Sequence, residues 1–458
     1  MQNSLKYKIL HIVISLTIFS CDLAQSQIMV KNIAVGPSPV GVSINHTTNR
    51  IYVTNSGDDS VSIIDGENNT ILGSVDVGNA PKGVAVNTIT THIYITNFGE
   101  DTVSVVDATT NEVISVINVG IRPLGITVNE LTNQIYVVNS AGNSVDIIDG
   151  DENIVLGRID VNLVNKNDPL DEVFLKTNGI VVNPNTNIIY VTHSSLVFSA
   201  TVSSNINLLV IDGTSNEIVD NINLSSIRGD IFVSQIYGLD LNRRTNQIYV
   251  ANETLILGPH TNRLQLIDGE NNKIIEDIDI PTTPFKVYED ELDEPFRLAI
   301  NSNRNHIFIT DPDNSAVFVI DGETKQLKTK IGVEDLPVGV AVNANNNFVY
   351  VVNKGSNSVT VLLDEDAVVT NLIVIPSSHK RSLLRRKTTV VVVDQQGNPL
   401  PGINVEAETS GTDVLVWPSS ARTDADGAVN FYSRFKLVGS DGAVTFSADG
   451  IETILKQE

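Results

Sequence analysis

Four side chains in the middle of the sequence bring together a cation, a carboxylate and two aromatic rings: Arg297, Asp240, Tyr237 and Phe296. The two aromatic rings could stack against a flat ligand such as a sugar, while Arg297 could bind an anionic or hydroxyl group. A buried charge needs a partner, so Arg297 and Asp240 could instead pair with each other. The residue types therefore predict either a ligand pocket or a self-contained ion pair.

Recognised catalytic motifs do not occur in the sequence, which has no Gly-x-Ser-x-Gly elbow, no His-Glu-x-x-His pair and no P-loop. The 7 His residues are scattered, and acidic turns such as Asp424–Gly427 lack the spacing of a calcium loop. A single Cys excludes an internal disulfide framework and Cys-rich metal or haem sites. We therefore predict no catalytic residue, no metal site and no cofactor.

Seven copies of a short motif indicate which elements position these side chains. The copies are IYVTN (51–55), IYITN (93–97), IYVVN (135–139), IYVTH (189–193), IYVAN (248–252), IFITD (307–311) and VYVVN (349–353). Three further short strands accompany each copy, with Asn, Asp-Gly and Gly-x-x-Pro turns between them. Four strands repeated about every 42 residues are typical of a β-propeller blade. The predicted fold is all-β, with a seven-bladed β-propeller over residues 28–365.

The strand before each motif shows why the four side chains stand out. A Gly such as Gly41 lies eleven residues before the aromatic in six copies, because inner strands crowd around the axis of the ring. Arg297 replaces this Gly in the sixth copy, and Asp240 replaces a small residue two positions further on in the fifth. Tyr237 and Phe296 directly precede the Gly position, so all four are predicted to lie near a mouth of the central channel.

Insertions fall in the same sector of the repeat. The connections after the second strand and between blades lengthen only around copies four to six, and one insertion, Tyr288–Glu294, is strongly acidic. In a propeller these two kinds of connection emerge on the same face, and function often accumulates on grown loops. We expect a loop-rich binding face across blades four to six.

Two segments compete to complete the seventh blade. Val30–Gly36 matches the fourth strand of a blade but precedes the first copy, so it could close the ring by strand exchange. Val368–Ile375 is the alternative.

The repeated IYVTN, the GVAVN strand (83–87) and the VIDG turn (319–322) resemble the YVTN family of β-propeller repeat proteins. The resemblance covers residues 28–365. Members of that family are mostly exported or cell-surface proteins of bacteria and archaea. The resemblance implies a propeller but supplies no catalytic residue.

A different organisation follows the repeats. Residues 366–387 are predicted as a linker whose basic cluster, between Lys380 and Lys387, is either solvated or in contact with an anionic wall polymer or lipid head groups. Residues 388–458 alternate strands and tight turns, which predicts a small β-sandwich. The phrases DQQGNPLPG (394–402) and TDADGAV (423–429) resemble the bacterial immunoglobulin-like domain of intimin- and invasin-type surface proteins. This resemblance implies a spacer or adhesive unit.

Residues 1–26 are predicted to be a signal peptide, because Lys6 and Lys8 precede an apolar run that is too short to span a membrane. The stretch before Cys21 resembles a bacterial lipobox, which would make Cys21 a lipidated terminus, whereas Ala24–Ser26 offers ordinary cleavage. Either route exports the protein without a transmembrane helix. The 54 acidic and 30 basic residues give a net charge of −24, so nucleic acid is not an expected partner.

These observations favour an exported, non-enzymatic binding or scaffold protein at the cell surface or outside the cell. Its loop-rich propeller face would bind a protein or glycan, and the immunoglobulin-like unit would act as a spacer. One alternative is a propeller enzyme similar to lactonases or lyases, with its site at the channel mouth. Another is a structural component of a surface layer.

Overall fold

A computed structural model describes two compact units of the chain, one spanning Met29–Asp364 and the other containing Glu365–Glu458. The described ranges of the first unit, together with Ile28, are 28–161, 172–198, 202–224, 233–255, 261–280 and 297–364. Those of the second are 371–376, 385–393, 404–410, 414–417, 419–423, 428–435, 443–448 and 451–456. Among these residues, no helix has the length and apolar character needed to cross a membrane.

The first unit consists of seven antiparallel four-stranded sheets, which confirms the seven-bladed β-propeller. The first described strand is β1 (Ile28–Ala34). Blade one contains β2 (Pro39–Asn45), β3 (Arg50–Asn55), β4 (Ser60–Asp65) and β5 (Thr70–Asp76). Blade two contains β6 (Pro81–Asn87), β7 (His92–Asn97), β8 (Thr102–Asp107) and β9 (Glu112–Asn118). Blade three contains β10 (Pro123–Asn129), β11 (Gln134–Asn139), β12 (Ser144–Asp149) and β13 (Val155–Asp160).

Blades four to seven continue the same order from the inner to the outer strand. Blades four and five contain β14 (Glu172–Asn183), β15 (Ile188–Phe198), β16 (Val202–Asp212) and β17 (Glu217–Asn223); and β18 (Val233–Asn242), β19 (Gln247–Leu255), β20 (Thr261–Asp268) and β21 (Lys273–Ile280). Blade six contains β22 (Leu298–Asn301), β23 (His306–Asp311), a 3-10 turn (Pro312–Asn314), β24 (Ala316–Asp321) and β25 (Leu327–Gly332), and blade seven contains β26 (Pro337–Asn343), β27 (Phe348–Asn353) and β28 (Ser358–Leu363).

The hydrophobic core of the first unit lies between neighbouring blades rather than within one blade. Tyr52 and Val61 of blade one, for example, form one cluster with Val84 and Ile93 of blade two. The aromatic residue of the motif is almost fully buried in all seven blades: Tyr52, Tyr94, Tyr136, Tyr190, Tyr249, Phe308 and Tyr350. Each four-stranded sheet therefore depends on its neighbours to cover its faces, which is why the blades close into a ring.

The ring is closed by the N-terminal strand. β1 pairs with β28 and supplies the outer strand of blade seven, which confirms one of the two predicted alternatives. The hydroxyl of Thr360 on β28 donates to Oδ1 of Asn32 on β1 at 2.7 Å, and Ile33 is buried in the core. The competing segment pairs elsewhere, because residues 371–376 form a strand in the second unit.

In four blades the motif tyrosine also links to the next blade by donating its hydroxyl group to an Asn side chain there. Tyr94 donates to Asn153 Oδ1 at 2.7 Å and Tyr136 to Asn216 Oδ1 at 2.6 Å, in each case in the third-to-fourth-strand turn of the next blade. Both Asn residues have positive φ, which Asn tolerates better than most residues. Blade six carries Phe308 instead of Tyr, and blade seven has no turn of this kind because β1 supplies its fourth strand.

The Asn that ends each inner strand forms a second link between blades. Its side-chain amide donates to an Asn in the first-to-second-strand turn of the next blade at six of the seven junctions: Asn87–Asn133, Asn129–Asn187, Asn183–Asn246, Asn242–Asn305, Asn301–Asn347 and Asn343–Asn49. The donor Asn residues are buried, so the pairing also satisfies polar groups that would otherwise lose water.

The second unit contains two four-stranded sheets. One has the order β29 (Asn371–Pro376), β30 (Arg385–Val393), β34 (Ala428–Phe435) and β32 (Val414–Trp417); the other has the order β33 (Ser420–Arg422), β31 (Asn404–Ser410), β35 (Ala443–Ala448) and β36 (Ile451–Lys456). Strand structure therefore begins inside the segment predicted as a linker, 366–387, because β29 and the start of β30 lie there. Lys380 and Arg381 of the basic cluster lie outside the described residues, whereas Arg385, Arg386 and Lys387 begin β30.

Candidate channel and extended-strand sites

Three of the four residues predicted from the sequence, Tyr237, Asp240 and Arg297, lie within the described part of the structure, at the junction of blades five and six. Arg297 is buried directly before β22, where its N–H donates to the carbonyl oxygen of Tyr237 at 3.1 Å and its own carbonyl accepts from the Thr310 N–H at 3.0 Å. Tyr237 is buried in the core shared by blades five and six. Phe296 and the acidic insertion lie outside the described residues.

Asp240 links blades five and six through backbone amides rather than through Arg297. Its Oδ1 accepts from the Leu241 N–H and its Oδ2 from the Ile300 N–H, both at 2.8 Å. The predicted Asp240–Arg297 ion pair is thus not formed. The carboxyl is surrounded by neighbouring strands although the residue is partly exposed on the channel wall. Burial raises the pKa of Asp240 to about 6, against the opposing effects of the two amides and of Arg243.

A cavity of about 850 Å³ occupies the centre of the ring and is lined by the inner strands of all seven blades. Of the three predicted residues that the structure describes, Asp240 lines this cavity and Tyr237 and Arg297 do not. The lining continues into the turns that follow the inner strands, including His46, Glu130 and Arg243. Insertions precede inner strands or follow second strands, so this cavity reaches the face of the propeller opposite to the insertions.

Ionisable groups from three blades face this end of the channel. Burial lowers the pKa of His46, and the charge of Arg243 lowers it further, while a hydrogen bond with Asn343 and the charge of Glu130 oppose these effects. Glu130 Oε1 accepts from the Thr88 hydroxyl at 2.5 Å. Within the described residues, no group of three or more His, Cys, Asp or Glu could hold a metal ion.

The sequence contained a signal for this end of the channel that our prediction did not use. His46, Glu130 and Arg243 each directly follow the Asn that ends an inner strand. The same position holds Thr88, Pro184, Ser302 and Ala344 in the other blades. Aligning the seven repeats with one another reveals a charged residue at this turn position. The prediction instead followed the insertions, which lie on the other face.

The insertions around blades four and five form longer strands. β14 has 12 residues whereas β10 of blade three has 7, and β15 and β16 have 11 each whereas β11 and β12 have 6. Their pairing is continuous from Ser194 to Phe198 and from Val202 to Ile206. Blade five shows a smaller version, with strands of 10, 9 and 8 residues. The sheets of these two blades therefore continue beyond the length of the regular blades.

A buried His lies at the base of this extension. His193 replaces the Asn of the motif and is 1% exposed, and its Nδ1 is 3.1 Å from the Thr177 hydroxyl. Burial lowers its pKa to about 4, so the ring is neutral at physiological pH. A neutral His continues the β15 ladder without the cost of a buried charge.

Comparison with solved structures supports the propeller fold. The chain is similar to Kuenenia stuttgartiensis hydrazine synthase, with a TM-score of 0.59 and 18% identity over 73% of this chain and 97% of that one. It is also similar to the β-propeller domain of Cps50 (Swd1) from Myceliophteria thermophila, with a TM-score of 0.55 and 11% identity over 74% of this chain and 100% of that domain. At these identities the likeness shows the fold alone. No protein-family model matches the sequence, and no curated protein matches it.

Proposed function

We propose that this is an exported binding protein that engages an extracellular protein or glycan with the extended strands of blades four and five. The observation that carries the proposal is the confinement of the long strands to two adjacent blades. The first three strands of each of these blades extend the sheet into a broad surface that the described parts of the other blades lack. Such a surface suits contact with a macromolecule better than the enclosure of a small substrate.

The enzyme alternative has less support from the described residues. The channel carboxylate, Asp240, accepts hydrogen bonds from two backbone amides and so has a structural role. Glu130 is tied to the Thr88 hydroxyl. A general acid or base must reach a substrate, and these two carboxylates are already engaged.

Three finer assignments accompany the proposal. Membership of the YVTN family is supported by the seven copies of the motif and by the propeller that they form. An immunoglobulin-like spacer is supported by the two four-stranded sheets of the second unit and by its turn phrases. Export is supported by the pattern of residues 1–26, and the intact mass of the mature protein distinguishes an acylated Cys21 from a Gln27 terminus.

A truncation of the β15–β16 hairpin tests the binding role. Ser195 and Asn205 lie opposite each other in the ladder, so an Asn-Gly turn can join them in place of residues 196–204. The mature wild-type chain is expected to bind members of a panel of immobilised extracellular polysaccharides and cell-envelope proteins. The truncated chain is expected to lose at least about tenfold in affinity, equivalent to about 1.4 kcal/mol.

A matched control places the same dipeptide on the other face. Glu67→Asn with Asn68→Gly changes an exposed turn of blade one and is expected to leave binding unchanged. Equal binding by the truncated and wild-type chains would contradict the proposal, as would the failure of wild type to bind the panel. Turnover of a panel member would favour the enzyme alternative instead.

A further inference from the structure

The guanidinium group of Arg243 is an unused cation beside the channel cavity. Arg243 is exposed and lines the cavity, and its guanidinium forms no hydrogen bond or ion pair with any other residue that the structure describes. Its backbone is fixed, since its N–H donates to Ser302 Oγ at 3.2 Å and its carbonyl accepts from Asn185 Nδ2 at 2.9 Å. The planar guanidinium of an Arg matches the geometry of a carboxylate, which it can bind through two N–H groups.

Other charged groups at this end of the channel already make hydrogen bonds within the fold. Glu130 is bound by Thr88, and both oxygens of Asp240 accept backbone N–H groups. Arg244 donates through Nη1 to the carbonyl oxygen of Asn303 at 3.0 Å. Among the described residues, an incoming anion would therefore meet two adjacent cations, Arg243 and Arg244, of which Arg243 has the guanidinium with no described hydrogen bond, in a chain whose net charge is −24.

The lining around Arg243 combines hydroxyl, amide and aliphatic groups. The rim carries short polar side chains: Thr47, Thr88, Ser302, Asn303 and Asn345. Deeper in the channel the walls include Val42, Val128 and Val181. Short hydroxyl and amide side chains bind the hydroxyl groups of a ligand, and aliphatic walls cover the less polar face of a sugar-like ring.

We propose that this end of the channel, the Arg243 site, binds a small hydroxylated carboxylate such as a sugar acid. Arg243 pairs with the carboxylate of the ligand, and the polar rim binds its hydroxyl groups. The site lies on the face opposite to the extended strands. It is therefore independent of the binding role proposed above, and either can fail without the other.

Titration calorimetry at low ionic strength tests the Arg243 site in the mature full-length chain. The probes are glucuronate, galacturonate and gluconate, with glucose as the neutral counterpart of glucuronate and inorganic phosphate as a simple anion. At least one of the three carboxylates is expected to bind at least tenfold more tightly than glucose and phosphate. Failure of all three carboxylates to bind would overturn the proposal, and so would equal binding of phosphate.

Three variants separate the site from general electrostatics. Arg243→Gln removes the cation and is expected to weaken carboxylate binding at least tenfold, while Ala344→Trp is expected to do the same by filling the rim. Arg122→Gln removes the same charge from an exposed residue on the insertion face and is expected to have no effect. An equal loss in Arg122→Gln, or unchanged binding in Arg243→Gln, would overturn the proposal. Unfolding temperatures of all three variants show whether each remains folded.

Discussion

Blades one and two each bond to the next blade through the same Thr-mediated hydrogen bonds, whereas blade six does not make these bonds. In blade one, the Gly41 N–H donates to the hydroxyl of Thr54, which in turn donates to the carbonyl oxygen of Lys82 on the next blade, at 2.8 and 2.7 Å. Blade two repeats this arrangement through Thr96. In blade six, the N–H of Arg297 donates to the carbonyl of Tyr237 instead.

This difference shows what the repeat constrains. A Thr that bridges two blades cannot change without leaving a buried N–H and a buried carbonyl unsatisfied. In blade six the bridge is not made, and the hydroxyl of Thr310 is buried without a hydrogen-bond partner. Residues that make no hydrogen bond between blades can be substituted at less cost in stability. Blades four to six therefore tolerate long strands and a charged residue on an inner strand.

Substitution of the inner-strand Gly is expected to give the largest difference in stability between regular and irregular blades. A Cβ at Gly83 would collide with the backbone carbonyl of Leu124, whereas a Cβ at Gly179 would lie 3.2 Å from the Thr192 hydroxyl and 3.4 Å from Leu239. We expect Gly83→Ala to cost about 3 kcal/mol because backbone must move, and Gly179→Ala to cost less than about 1 kcal/mol. Chemical denaturation of both variants measures the difference, and equal costs would show that blades two and four are packed alike.

A smaller effect is expected from the Thr bridge. Thr54→Val keeps the shape of the side chain but leaves the Gly41 N–H and the Lys82 carbonyl without their partner, so we expect a loss of about 1–3 kcal/mol. Thr310→Val removes a hydroxyl that makes no hydrogen bond, so it is expected to be neutral or slightly stabilising. Thermal and denaturant unfolding check both, and a destabilised Thr310→Val would show that blade six still uses its hydroxyl.

The smallest effect is the pH dependence contributed by Asp240. Its pKa is raised in the fold to about 6 from 3.8, so the folded chain holds this proton more tightly than the unfolded chain. The stabilisation from this group is present below about pH 4 and is lost as the pH rises through about 6. Asp240→Asn removes the titrating group, so this contribution to the pH dependence of the unfolding free energy is expected to disappear. This holds whether the variant is more or less stable than wild type at a given pH. Unfolding free energies at pH 4 to 7 compare the two slopes, and parallel profiles would contradict the prediction.

The sequence was sufficient to predict the propeller because the repeat encodes each blade separately. Strand periodicity, turn residues and the buried aromatic such as Tyr94 are local features, and seven copies reinforce one another. Ring closure by β1 was also within reach, since the segment matches a fourth strand. The exception at Phe308 follows from the same closure, because a blade without a third-to-fourth-strand turn offers no Asn to a Tyr hydroxyl.

The contacts of the candidate residues were harder to predict. Arg297 and Asp240 were expected to pair because both are charged residues at inner-strand positions of adjacent blades. The carboxylate of Asp240 accepts from two backbone N–H groups instead, and backbone donors have no signal in the sequence. The insertions were recognised, but their length alone did not show that they continue as paired strands.

The sequence by itself determined the number of blades, their order and the side chains that face the core, because those depend on short-range patterns repeated along the chain. The tertiary structure alone decided which partner each buried polar group uses and which end of the channel holds an accessible cation. Both depend on distances between residues of different blades, such as Asp240 and Ile300, and no local pattern encodes those distances.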